Sequence, residues 1–138
     1  MKSRWYGRMS GRILCTAVLA AAWSMAWARD FVIVDGGATG FATVADAMST
    51  LRSRGLLELP SGKGSVFLEA GGKTTWTFTG EKEAAYPAFA RFVWTSNKDR
   101  VQVAISILCE AATKPCEKFA SDMRANVDKI LKGEPGGN

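Results

Sequence analysis

Residues 101–108 read Val-Gln-Val-Ala-Ile-Ser-Ile-Leu. Val101, Val103, Ile105 and Ile107 fall on one side of this alternation, and Gln102, Ala104 and Ser106 on the other. Strand side chains point alternately to two faces, so the pattern predicts a half-buried β-strand. Cys109 keeps the parity of the apolar set, which turns its sulfur inward. Upstream, Ala88 to Thr95 predicts a second strand, with Phe92 and Trp94 opposed to Phe89, Arg91 and Val93; Ser96-Asn97-Lys98-Asp99 supplies the turn between the two. Further back, Val66 to Ala70 and Lys73 to Thr79 predict a hairpin closed at Gly71-Gly72. In its second arm Thr75, Thr77 and Thr79 share a face, and Trp76 and Phe78 take the other as core residues.

Two helices flank this β-rich middle. Thr43 is placed to cap a helix, with Asp46 three residues on, and Val44, Ala47, Met48 and Leu51 repeat at i, i+3, i+4 and i+7. Arg52 and Arg54 suit its C-terminal end, and Gly55 is a natural stop. The second helix runs from about Thr113 to Lys132, with Pro115 in its first turn. Its apolar stripe is Cys116, Phe119, Ala120, Met123, Val127, Ile130 and Leu131. Asp30 to Val34 reads as a short strand or an extended arm, and Pro60-Ser61-Gly62-Lys63-Gly64 as a loop. The expected fold class is α+β: a small antiparallel sheet of about four strands, with the N-terminal helix and the longer C-terminal helix on one face, and one disulfide.

The start of the chain has the pattern of a secretory signal peptide. Lys2, Arg4, Arg8 and Arg12 precede an apolar run from Ile13 to Ala26, and Ala26-Trp27-Ala28 is a small-x-small cleavage site. The run is short of the ~20 residues needed to cross a bilayer. Residues 1–28 are therefore expected to be removed, 29–132 to form a single α+β domain, and 133–138 (Gly-Glu-Pro-Gly-Gly-Asn) to be a flexible tail. The protein is expected to be periplasmic or secreted, with no stable membrane anchor after cleavage. Cys15 sits too early in the apolar run, with no small residue immediately before it, to mark a lipoprotein.

Removing the leader changes the charge. The chain carries 18 Lys+Arg and 13 Asp+Glu; four of the basic residues are in the leader, leaving 14 against 13 and a net charge of +1. A nearly neutral domain gives no electrostatic reason to bind nucleic acid.

Cys109 and Cys116 are the cysteines that remain, and in an oxidising compartment such a pair reads as a disulfide. The C-x6-C spacing is not that of a redox C-x-x-C motif. The chain has no histidine, which excludes Ser-His-Asp and Cys-His catalysis and histidine-ligated zinc or haem. No cofactor and no metal site is expected. Gly36-Gly37-Ala38-Thr39-Gly40 lacks the full spacing of a dinucleotide loop. Gly72-Lys73-Thr74 lacks the first glycine of a P-loop, because position 67 is Phe67.

Trp76-Thr77-Phe78, then Ala85-Tyr86-Pro87 with Arg91, then Leu108-Cys109-Glu110-Ala111 with Cys116, resemble the motif order of a family of small exported proteobacterial proteins of no established activity. Some members carry the chaperone name DnaJ. A J domain depends on His-Pro-Asp, and this chain has no histidine. The resemblance covers roughly residues 41–131. It departs at Gly80-Glu81-Lys82-Glu83-Ala84-Ala85, where the family has a Pro- and His-containing approach to the A-Y-P turn.

Tyr86, Pro87, Arg91 and Glu110 are the candidate binding residues; the alternatives are a strand-orienting turn at Tyr86-Pro87, an edge-strand Arg91 reaching water, and a corner-holding Glu110. The expected function is that of an exported, non-enzymatic binding or accessory protein acting on a protein partner in the cell envelope. An inhibitor or immunity-type role is one version. Two alternatives remain. One is an envelope enzyme acting on peptidoglycan or glycan through carboxylates drawn from Glu58, Glu69, Glu81, Glu83 and Glu110. The other is a small-ligand carrier with an apolar pocket lined by Trp76, Phe78 and Met123.

Overall fold

The computed structural model describes residues 30–133. The segment read as a signal peptide lies outside the described residues, as does the tail beyond Gly133. The described residues from Phe31 on group as one compact unit.

The elements run β1 (Asp30–Asp35), α1 (Val44–Ser53), β2 (Leu57–Ser61), β3 (Gly64–Leu68), β4 (Thr74–Thr79), β5 (Ala88–Ser96), β6 (Arg100–Cys109) and α2 (Thr113–Leu131). The strands form one sheet in the order β1-β6-β5-β4-β3-β2. It is an α+β fold with a disulfide, but the sheet has six strands and is mixed, where about four antiparallel strands were expected. Strands β2 to β6 make an antiparallel meander, and β1 lies beside β6. The additional strands are the two at the sheet's edges. β2 contains Pro60 and ends in turn residues, so it reads as a loop; an edge strand tolerates proline because one of its sides has no ladder to complete.

Register fixes which residues share a face. One cross-strand row is Glu58, Phe67, Trp76, Arg91 and Ser106. The neighbouring row, on the opposite face, is Leu59, Val66, Thr77, Ala90 and Ile107. The two helices pack on opposite faces rather than on one. Val44, Ala47 and Leu51 of α1 join Phe67, Trp76, Phe78 and Phe89. Phe119 and Val127 of α2 join Ala88, Ala90, Phe92, Val103 and Ile105. β5 explains why a single-faced arrangement fails. Phe89 lies between Ala88 and Ala90, all three are fully buried, and neighbours on a strand point to opposite sides. A strand apolar on both faces needs cover on both.

Both helices start and stop where local chemistry dictates. The Thr43 hydroxyl accepts the Asp46 amide (3.1 Å) at the head of α1. Gly55 follows its end with φ of 70°, a backbone region costly for residues with a Cβ. At the head of α2 no side chain caps. Instead the Cys109–Cys116 disulfide ties its first turn to the end of β6, with Cα atoms 5.7 Å apart.

Candidate functional site

The α1 face is filled. Phe78 stacks on Phe89 with ring centroids 5.0 Å apart, Phe67 meets Phe78 edge-on at 5.3 Å, and Phe41 meets Phe89 edge-on at 6.1 Å. Two of the candidate binding residues also work on this side. Arg91 is on the interior strand β5, not an edge, and its half-buried guanidinium is bound to neighbouring chain segments. Nη1 donates to the Thr39 carbonyl (3.1 Å), and Nη2 donates to the Ala38 carbonyl and the Ser106 hydroxyl (both 3.3 Å). Glu110 accepts the amide of Val44, the first residue of α1, at 2.9 Å. Its carboxylate thus satisfies a helix N-terminal amide and complements the positive end of the dipole. Together Arg91 and Glu110 hold the segment from Ala38 to Val44 against the sheet across 52 and 66 residues of sequence.

Tyr86 and Pro87 form a corner instead, joined by a cis peptide bond. The Tyr86 amide donates to the Glu83 carbonyl (3.0 Å), and the Pro87 carbonyl accepts the Glu110 amide (2.9 Å). Tyr86 is 45% exposed. The four candidates therefore do not converge on an opening. Arg91, Glu110 and Pro87 hold chain segments together, and Tyr86 is the one exposed large hydrophobic side chain among the four.

The α2 face differs. α2 packs on β5 and β6. The β2–β4 half of the same face carries Leu57, Leu59, Val66, Leu68, Thr75 and Thr77 by register. Leu57 is 57% exposed and Leu59 is 42% exposed. Beside this apolar half, where the β2–β3 turn, the end of β4 and the β4–β5 connection approach α2, run two adjoining grooves of roughly 800 and 430 Å³; Leu57, Leu59, Val66 and Leu68 stand next to them and do not line them. Thr79, Ala85 and Phe119 are among the residues lining the larger, and Thr77, Met123 and Asn126 among those lining the smaller. Ile130, four residues beyond Asn126 and so on the same flank of the helix, is 58% exposed. It departs from the otherwise inward apolar stripe. Sequence periodicity hides this surface, because Leu57 and Leu59 sit in an unrecognised strand and Ile130 fits the core stripe by spacing.

The charges around the grooves are unevenly used. Asp122 holds Lys118 at 2.6 Å, and Glu83 accepts the Gly80 amide at 2.9 Å. Lys63, Lys82, Lys129 and Glu81 line the same grooves and have no ion-pair partner among the described residues.

The carboxylates considered for acid–base chemistry are dispersed. Glu58 is bound by Arg52 Nη2 (2.8 Å) and Nε (3.1 Å) on the α1 side; the Arg52 hydrogen bonds hold its carboxyl below the ordinary carboxylate range. Glu83 and Glu110 hold backbone amides, Glu81 lines the larger groove, and Glu69 is exposed near the β3–β4 turn. Phe78 and Met123 both line the smaller groove, but Trp76, in the α1 cluster, lines neither groove, so the three do not enclose one ligand cavity. Among the described residues no cluster of potential metal ligands forms, and no helix is long and apolar enough to cross a membrane.

Compared with known proteins, the chain matches no family model, no curated protein and no solved structure.

Proposed function

We propose that this chain is an exported, non-enzymatic binding protein that holds a protein partner on the open half of its α2 face. The supporting observation is the pairing of two solvent-exposed leucines, Leu57 and Leu59, with Val66 and Leu68 on a half-sheet beside the α2 groove. A contiguous apolar surface next to a groove and rimmed by charge is the form a protein-binding site takes. The β2 edge is a poorer candidate. Pro60 offers no amide there, and Glu58 carries a charge bound by Arg52 from α1.

Export and a periplasmic or secreted location are part of the same proposal. The signal-peptide pattern and the resemblance to small exported proteins support it, and the disulfide is compatible with an oxidising compartment. Inhibition of, or immunity to, a secreted toxin is a specific version. It predicts that a deletion strain loses protection, and equal survival with and without the gene removes it.

The broader proposal is tested by co-purifying the tagged protein from its own cell envelope beside a Leu57→Asp/Leu59→Asp variant. One stoichiometric protein retained by the natural chain and lost by the variant is the expected result. A partner retained equally by both would overturn the assignment of this face.

A further inference from the structure

Resting on that proposal, we infer that the surface receives an amphipathic α-helix of the partner, laid beside α2, with carboxylates along its flanks. Width and charge lead to this occupant. Neighbouring strands are about 4.8 Å apart, so β2 to β4 span about 10 Å, which is the width of one helix with its side chains. α2 lies over β5 and β6, and a helix centred between β3 and β4 lies about 10 Å from one centred between β5 and β6, an ordinary helix–helix spacing. The incoming helix completes a layer that the chain builds only in part. Its apolar stripe meets Leu59, Val66 and Thr77 in one row and Leu57, Leu68 and Thr75 in the next, with Ile130 and Met123 at its side.

Charge selects the polar flanks. Asp122 is paired with Lys118, whereas Glu83 keeps its charge while it accepts the Gly80 amide, so the grooves retain Lys63, Lys82 and Lys129 against Glu81 and Glu83. Three lysines against two glutamates leave a net positive charge, which favours an acidic partner over a basic one. Lys63 and Lys82 stand at the β2–β3 turn and the β4–β5 connection, and Lys129 stands on α2, so the lysines border the groove from both banks.

The test uses protein purified from the envelope as the cell processes it. The probes are three fluorescent synthetic helices of about 18 residues, long enough to be partly helical in water. They share one leucine stripe and differ in polar face: all Glu, all Gln or all Lys. Fluorescence anisotropy should give the Glu probe the tightest binding, roughly tenfold over the Lys probe. That gap should close as salt rises from about 0.05 M to about 0.5 M. A Lys63→Glu/Lys129→Glu variant should reverse the order, and Leu59→Asp should weaken all three. Both variants change exposed positions, and an unchanged unfolding midpoint verifies that they fold.

Equal binding of the three probes, all lost in Leu59→Asp, would overturn the acidic flank while leaving the binding face in place. No probe binding, alongside a natural partner that Leu57→Asp/Leu59→Asp releases, would overturn the helix but not the partner surface. Self-association at rising concentration, abolished by Leu59→Asp, would make a second copy the occupant and overturn the inference.

Discussion

The two faces of this sheet use their helices differently. α1 has 10 residues, yet its side of the sheet is closed. α2 has 19, yet its side stays half open. Helix length does not decide coverage; what stands on the strands beneath does. Under α1, Phe67, Phe78 and Phe89 rise from three adjacent strands, and Arg91 and Glu110 draw the 38–44 segment over them. Under α2, alanines at 88 and 90 let the helix settle close to β5, and the disulfide fixes its start at the end of β6. α2 packs over β5 and β6 and reaches only the near side of β4, and Leu57 and Leu59 of β2 on that face remain exposed. The closed face makes the fold, and the open face is free to serve something else.

The comparison breaks first at Phe89. Phe89→Ala should cost about 3–5 kcal/mol, because truncating a fully buried aromatic removes transfer energy and leaves a cavity. Urea denaturation measures this, and a loss under 1 kcal/mol, well below that range, would mean that the α1 face is not the principal core.

Opening the disulfide comes next. Cys109→Ser/Cys116→Ser should lower stability by roughly 2–3 kcal/mol on the chain-entropy account. Hydrogen exchange should rise in α2 while α1 stays protected. Uniform loosening of both helices would show that the bond braces the whole molecule rather than one face.

Glu110→Ala removes the carboxylate from the Val44 amide and should cost about 1 kcal/mol. Exchange should increase at the start of α1 and not in α2. Faster exchange confined to α2 would contradict the assignment of Glu110 to the α1 face.

A smaller effect follows pH. Arg52 holds the Glu58 carboxyl below its unfolded range, so the pair supports the fold above that range. The support is lost as pH falls through the lowered value. Glu58→Gln should therefore be slightly less stable than the natural chain near neutrality and equal to it in acid. Because the pair is largely exposed, salt should shrink the difference. A difference that grows in acid has the wrong sign for this assignment.

Least of all for stability, Leu57→Asp/Leu59→Asp should shift the unfolding free energy by no more than about 0.5 kcal/mol. A loss comparable to that of Phe89→Ala would show that these leucines belong to the fold, and the contrast between faces would disappear.

Much of this arrangement is legible in sequence, and the gaps have physical causes. Alternation in 101–108 marks β6, and the run of apolar and aromatic residues in 88–95, ended by the Ser96–Asp99 turn, marks β5. The α1 cap and stop follow from Thr43 and Gly55 because they act on nearby backbone. β2 is not legible, since an edge strand with Pro60 carries the composition of a loop. Period alone assigns residues to one side or the other of their own strand. It does not say which side a distant helix covers, so the two helices could not be placed on opposite faces. Nor could Arg91 and Glu110 be recognised as braces, because their partners lie 52 and 66 residues away. The open half-sheet was invisible for both reasons.

Trp76 and Trp94, the tryptophans downstream of residue 28, pack on opposite sides of the sheet. Each face thus contains its own intrinsic fluorophore. Replacing one by phenylalanine leaves emission that reports on the other side alone. With Trp94 retained, a spectral change on addition of a binder registers events on the α2 layer. With Trp76 retained, the same titration reads whether the closed layer responds. One sheet can be watched from either side without an extrinsic label.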